Sequence, residues 1–166
     1  MNTLSSHIAT HQRINMLRQA WSGLVALLEW LQAPALLAAR LYVAYVFFMS
    51  GLESLRSWDS TLYLYESEFH IAVLPPYVAA VMGTAGEVIL PPLLALGLFG
   101  RFGALGLFVV NAVALLSYMY ALQPPAIMFH FIWGILLLMV ALWGSGKWSV
   151  DYLWTRAGRK SGNVKR

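Results

Sequence analysis

The sequence predicts an all-α integral membrane protein: a four-helix bundle preceded by an N-terminal amphipathic interfacial helix. The chain has 166 residues, of which 60% are hydrophobic and 11% charged, and its mean hydropathy is +0.66. A soluble domain of this size needs a more polar surface. Four apolar segments also approach the roughly 20 residues that a helix needs to cross a bilayer. The segment before them is apolar on one helical face only.

The four predicted spans cover about residues 35–54, 77–98, 102–122 and 126–143. Proline pairs at 75–76 and 124–125 precede the second and fourth spans, and proline is favoured in the first turn of a helix. Glycines recur at every third position around Arg101, which indicates a tight turn between closely packed second and third spans.

The predicted amphipathic helix precedes the first span. Its apolar residues share one helical face: Met16, Leu17, Ala20, Trp21, Leu24, Leu27, Leu28 and Leu31. Arg18 and Glu29 lie on the opposite face, and Pro34 is expected to end the helix. The pattern favours a helix in the interface plane, with docking on a partner protein as the alternative. The chain then divides into an amphipathic segment (1–34), a four-span domain (35–153) and a basic cytoplasmic tail (154–166).

The distribution of basic residues predicts the topology. Arg40 opens the first span, Arg101 separates the second from the third, and most other basic residues follow the fourth. Only Arg56 falls on the other side, so both termini are expected in the cytoplasm of a bacterium, with the chain in the inner membrane. The net charge of +4 therefore indicates orientation and contact with anionic lipid, not nucleic-acid binding. Arg40 and Arg101 are expected to reach headgroup phosphates, with an inward-reaching Arg40 as the alternative.

Glu87 is the only charged residue between positions 77 and 98. It lies roughly 15 Å below the outer end of its span, near the middle of the bilayer. A carboxyl group there is neutral or paired, and ionisable groups in the membrane are candidate functional residues. Pro91 lacks the N–H that would bond the carbonyl of residue 87, so a kink is expected beside it. The alternative is a protonated glutamate that only joins neighbouring helices.

Four further polar residues are expected near Glu87. Asn111 has a comparable depth on the third span and is a candidate hydrogen-bond partner, or packing residue, with Tyr118 on the same face. His130 and Glu53, at the outer ends of their spans, are expected to line one cavity with Glu87. These five residues form the predicted ligand site. A quinone headgroup is the first candidate, because its oxygens need a few hydrogen-bonding groups in an apolar slot.

A copper site is an alternative. Met49, Met82, Met119 and Met128 all fall toward the outer ends of the spans, near His130, and thioether and imidazole groups suit Cu(I). However, Met128 and His130 are two residues apart and point to different faces of a helix, and methionine often fills gaps in packing. The absence of cysteine excludes disulfides and thiolate metal sites.

Several stretches carry a family resemblance: "RLYVAYVFFMSGLESLRSWDS" (40–60), "LPPYVAAVMGTAGEVILPPLLALGLFGRFGALGL" (74–107), "VVNAVA" (109–114), "HFIWGILLL" (130–138) and "GKWSVDYL" (146–153). In this order they resemble the DoxX family of small four-helix bacterial membrane proteins. Many members carry a lysine just after the Ser-Gly pair, where this chain has Glu53 and Ser54.

The resemblance implies a four-helix membrane fold and a function within a larger system. Relatives include a small subunit of thiosulfate:quinone oxidoreductase and proteins linked to membrane oxidative-stress complexes. A further subset accompanies operons for modified metal-handling peptides, and the loop "SWDSTLYLYESEFHIAVLPP" is most similar to that subset.

Three functions follow as hypotheses. The first is a DoxX-like membrane subunit of a redox or stress-response system that binds a quinone. The second is a non-catalytic assembly protein that holds its protein partners through the N-terminal helix. The third is a component of copper or peptide export, for which four spans would form a pathway as a homo-oligomer.

Overall fold

A computed structural model describes residues 2–69 and 74–162, and describes the side chains of residues 15–69 and 74–157. The described ranges contain helices and no strand. The helices are α1 (Asn2–Arg56), α2 (Trp58–Ser67), α3 (Pro76–Leu96), α4 (Gly100–Tyr118), α5 (Pro124–Trp143) and α6 (Val150–Gly162). Four of them contain stretches long and apolar enough to cross a membrane: Asn15–Arg56 in α1, and all of α3, α4 and α5. The predicted all-α membrane fold is confirmed.

The described residues form two units that divide after Ala35. In the first unit, most of the described side chains are exposed, among them Leu17 and Trp21 of the predicted apolar face. The prediction that Pro34 ends the first helix is wrong, because α1 includes this residue. A proline removes only one backbone hydrogen bond, and long apolar helices tolerate that loss. The location of this segment in the membrane interface remains a prediction.

The second unit is a helical bundle that begins at Leu36. Its buried core comes from α1, α3, α4 and α5, and consists of Leu36, Val43, Ala44, Phe47, Leu94, Ala104, Leu107, Leu137 and Val140. Small residues let the helices approach closely. A Cβ on Gly51 of α1 would lie 2.8 Å from Val88 Cγ2 of α3, and a Cβ on Gly103 of α4 would lie 3.5 Å from the backbone nitrogen of Leu94. Large apolar side chains cover the outside of these helices, as expected for a lipid-facing surface.

Helix α2 lies between the first two predicted spans (35–54 and 77–98), where a loop is expected. It packs against α3, and the Thr61 hydroxyl donates a hydrogen bond to the carbonyl of Ser54 at 3.1 Å. Trp58 meets Tyr77 edge to face, with ring centroids 6.3 Å apart. These contacts hold α2 beside the ends of α1 and α3.

The turn between α3 and α4 is closed by the first turn of α6. Gly97 ends α3 with φ 66°, a left-handed conformation that suits glycine, and Phe99 has φ 49°. The backbone N–H groups of Phe99 and Gly100 donate to the two carboxylate oxygens of Asp151, each at 3.0 Å. The N–H of Asp151 donates in turn to the carbonyl of Gly97 at 3.2 Å. We call the region formed by the α3–α4 turn and the start of α6 the α6 end of the bundle.

Candidate functional site

The Glu87 cavity lies among α1, α2, α3 and α4 and has a volume of about 380 Å³. Most of its wall is apolar. It is lined by Ser50, Ser54, Thr61, Leu64, Tyr65, Phe69, Leu74, Ala79, Met82, Gly83, Glu87, Val109, Val110, Val113 and Ala114. A cavity of this size with few polar groups is typical of small-molecule sites in proteins.

Glu87 is half-buried on α3, and one of its oxygens is engaged. The Ser50 hydroxyl of α1 donates to Glu87 Oε1 at 3.3 Å, whereas Oε2 has no partner among the described residues. The close approach of α1 and α3 at Gly51 makes this contact possible, since a Cβ on Gly51 would lie 2.9 Å from Glu87 Cβ. Oε2 is therefore available to a ligand.

Tyr65 of α2 brings a second polar group to the cavity. Its hydroxyl packs against Gly83, one helical turn before Glu87, where any larger side chain would displace it. Burial, with a smaller contribution from the nearby Glu87 carboxyl group, raises the pKa of Tyr65 to about 12. The phenol thus remains a hydrogen-bond donor at physiological pH. Tyr65 is absent from the predicted site because a loop, not a helix packed on α3, is expected between the first two spans.

Tyr118 reaches the same region through a stack of aromatic rings. Phe69 stacks on Tyr65 with ring centroids 4.5 Å apart, and Tyr118 stacks on the other side of the pair, 5.2 Å from Phe69. Tyr118 therefore supports the wall of the Glu87 cavity through Phe69.

Asn111 and His130 form a separate pair between α4 and α5. Asn111 Nδ2 donates to the backbone carbonyl of His130 at 3.0 Å, and Asn111 Oδ1 lies 2.8 Å from His130 Nδ1. A carbonyl can only accept, so the amide orientation follows and His130 Nδ1 carries the proton. Both residues line a cavity of about 300 Å³ that does not include Glu87. The expected bond between Asn111 and Glu87 is not formed.

Glu53 and the methionines do not join these residues into one site. Glu53 is 70% exposed and lies 4.0 Å from Arg56, one turn away on the same helix. All four candidate methionines are exposed, and Met82 also lines the Glu87 cavity, which the other three do not: Met49, Met119 and Met128. Within the described part of the chain, no cluster of three or more histidine and acidic residues could hold a metal ion.

The two arginines at the α6 end differ in their environments. Arg101 is exposed, and its guanidinium donates to the carbonyl of Leu142 at 3.4 Å. Arg40 is only 1% exposed and donates to the carbonyl of Trp148 at 2.5 Å. The expectation that Arg40 extends to lipid headgroups is therefore wrong, because its guanidinium points inward against Gly97 at the end of α3 and Trp148 in the segment before α6.

Four membrane-length helices, three of which line a cavity with a few polar groups, define a small multi-pass α-helical membrane protein. The DoxX family model matches residues 35–121, just over half of the chain, so the protein belongs to the DoxX family. This confirms the resemblance. The comparisons with curated proteins and with solved structures find no match.

Proposed function

We propose that this DoxX-family protein is a membrane subunit of a redox or stress-response system and that it binds a quinone headgroup in the Glu87 cavity. The observation that carries the proposal is the position of Glu87 and Tyr65, which present polar groups of different kinds to one apolar cavity. The Tyr65 hydroxyl is a donor, and Glu87 Oε2 has no partner among the described residues.

The polar groups suit both oxidation states of such a ligand. A quinone carbonyl accepts hydrogen bonds, and the Tyr65 hydroxyl can donate one. A quinol hydroxyl donates, and Glu87 Oε2 can accept. A bound quinone would supply the electron-accepting group, while this chain would position the ring between the valines of α4 and the side chains of α2. The chain thus provides binding and orientation, and electron transfer needs a partner protein.

The proposed location is the inner membrane of a bacterium, with both termini in the cytoplasm. Arg40, Arg101 and Lys147 lie at the α6 end of the bundle, whereas Arg56 ends α1 beyond the Glu87 cavity. This distribution supports a cytoplasmic location of the α6 end, because cytoplasmic ends of spans carry an excess of Lys and Arg. The Glu87 cavity then lies between the bilayer centre and the outer leaflet.

The test is retention of quinone by the protein purified gently from its native membrane. Native mass spectrometry should show about one quinone per chain in the wild type, and Glu87→Gln and Tyr65→Phe should each weaken its retention. Loss of a hydrogen bond to a ligand costs on the order of 1 kcal/mol, or about fivefold in affinity. Glu53→Gln is the matched control, because it makes the same substitution at an exposed residue outside the cavity.

A wild-type protein that carries no quinone, or an equal loss in all three variants, would contradict the proposal. If the Glu87→Gln bundle is folded and phospholipid is its sole ligand, the glutamate is a structural residue that holds α1 to α3.

Assembly without ligand chemistry is the second candidate function. The exposed apolar side chains of the first unit favour it, among them Leu17, Trp21 and Leu28. Removal of residues 1–33 should then release partner proteins in a pull-down from the membrane while the bundle still folds. If the truncated protein retains its partners, they bind elsewhere.

A further inference from the structure

A second polar cleft lies at the α6 end of the bundle, among residues that do not line the Glu87 cavity. Its volume is about 390 Å³. It is lined by Arg101, Gly144, Ser145, Gly146, Ser149, Asp151, Tyr152 and Thr155. In contrast to the Glu87 cavity, most of its lining residues carry polar side chains, which indicates a charged or strongly hydrogen-bonding ligand.

Two buried residues at this cleft have donor groups without partners. Ser145 is 8% exposed, and its hydroxyl, which sits over Gly100 at the start of α4, has no hydrogen-bond partner among the described residues. Arg40 uses one guanidinium nitrogen for Trp148, and its Nε and other terminal nitrogen have no partner in the part of the chain that the structure describes. Buried donors are nearly always paired in proteins, so these groups indicate an acceptor that the described part of the chain does not provide.

The charges at the cleft favour an anion. Asp151 is the acidic residue in the lining, and both of its oxygens already accept backbone N–H groups of α4. Arg40 lies behind the cleft and Arg101 at its rim, and Lys147 is exposed beside them. The cationic groups thus outnumber the carboxylate, whose charge the helix terminus also partly compensates.

The position of the cleft identifies the source of the anion. Helices α3 and α5 end here and α4 begins here, so the cleft lies where the apolar spans meet water. Large aromatic side chains are exposed around this end, as in the aromatic belts of membrane proteins: Phe99, Phe102, Trp143, Trp148 and Trp154. The anions concentrated at this depth are the phosphates of phospholipids.

We infer that this cleft is a binding site for the phosphate group of an anionic phospholipid. The Ser145 hydroxyl and the Arg101 guanidinium donate hydrogen bonds to the phosphate oxygens, and buried Arg40 supplies positive charge behind them. The site is independent of the proposed quinone site, since the two cavities share no lining residue.

The test is lipid retention in nanodiscs of equal parts phosphatidylglycerol and phosphatidylcholine, measured by native mass spectrometry after release into detergent. The wild type should retain phosphatidylglycerol preferentially. Ser145→Ala should reduce its retention by about tenfold, the loss expected for a hydrogen bond to a charged group. Arg101→Gln should reduce it by about threefold, because that charge is exposed. Arg56→Gln removes an exposed arginine at the opposite end of the bundle and should leave the retention of phosphatidylglycerol unchanged.

Ser145→Ala also separates binding from structure. Removal of a buried hydroxyl without a partner leaves the melting temperature unchanged or raises it, so a loss of lipid with no loss of stability supports the site. Equal retention of phosphatidylglycerol by the wild type and both variants would overturn it. Inorganic phosphate at millimolar concentration should not displace the lipid, and displacement would assign the cleft to free phosphate instead.

Discussion

The contact of Asp151 with the α3–α4 turn permits a quantitative prediction about stability. In the wild type, the two carboxylate oxygens of Asp151 accept the N–H groups of Phe99 and Gly100 at 3.0 Å. Asp151→Ala removes both acceptors. Loss of a side chain that caps a helix N-terminus costs about 1 kcal/mol, and loss of its charge there costs up to about 1 kcal/mol more. We therefore expect the free energy of unfolding to fall by about 2 kcal/mol. Asp151→Asn retains one acceptor oxygen and should cost about half as much.

The assay is thermal unfolding in detergent, followed by tryptophan fluorescence. For a chain of this size, a loss of about 2 kcal/mol lowers the melting temperature by roughly 4–8 °C. Asp59→Ala is the matched control, because Asp59 is an exposed acid in the first turn of α2 and should shift the temperature far less. If Asp151→Ala and Asp59→Ala give equal shifts, Asp151 does not stabilise the turn and the reasoning fails.

Three further predictions concern the bundle and its cavities. Gly51→Ala should destabilise the bundle by about 1–3 kcal/mol, because its Cβ would lie 2.8 Å from Val88 Cγ2, and a melt equal to that of wild type would contradict this. Asn111→Ala should cost about 1 kcal/mol, the usual value for interhelical hydrogen bonds in membranes, and should shift the ¹⁵N signals of His130 toward the other tautomer. The pKa of Tyr65 is raised to about 12 from 10.0, so the folded state resists ionisation of the phenol, and the stability present below pH 10 should be lost between pH 10 and 12. Absorbance at 295 nm should show one tyrosine that ionises late, and Tyr65→Phe should remove that late signal.

The sequence predicts the membrane spans well because the bilayer imposes a simple requirement. A span needs a fixed length of apolar residues with its backbone hydrogen bonds inside a helix, and composition reveals such segments directly. The predicted segment 126–143 thus corresponds to α5 (Pro124–Trp143), and 77–98 to α3 (Pro76–Leu96). Shorter elements lack this requirement. Helix α2 has ten residues and depends on packing against α3, so a pattern within one segment does not reveal it.

The continuation of α1 through Pro34 also follows from the requirement that a span be helical. A proline in the interior of a helix usually ends it or kinks it, and the sequence alone gives no reason to expect otherwise. In α1 the helix continues because apolar residues follow for another six turns, and the backbone has no better alternative in an apolar environment. Local propensity thus yields to the requirement that the whole span be helical.

The predicted site shows what helix periodicity can and cannot provide. Counting residues gives the depth along a span only coarsely: Asn111, expected beside Glu87 near the middle of the bilayer, bonds to His130, expected at the outer end of its span. The direction in which a residue faces depends on the rotation of the helix in the bundle, which the sequence leaves open. On α4, Val109, Val110 and Val113 line the Glu87 cavity, whereas Asn111 faces α5. A rotation of about 100° per residue is enough to move a polar side chain from one neighbouring helix to the next. Glu87 therefore has Ser50 and Tyr65 around it, and the pair that the sequence assigned to it forms a second polar contact elsewhere in the bundle.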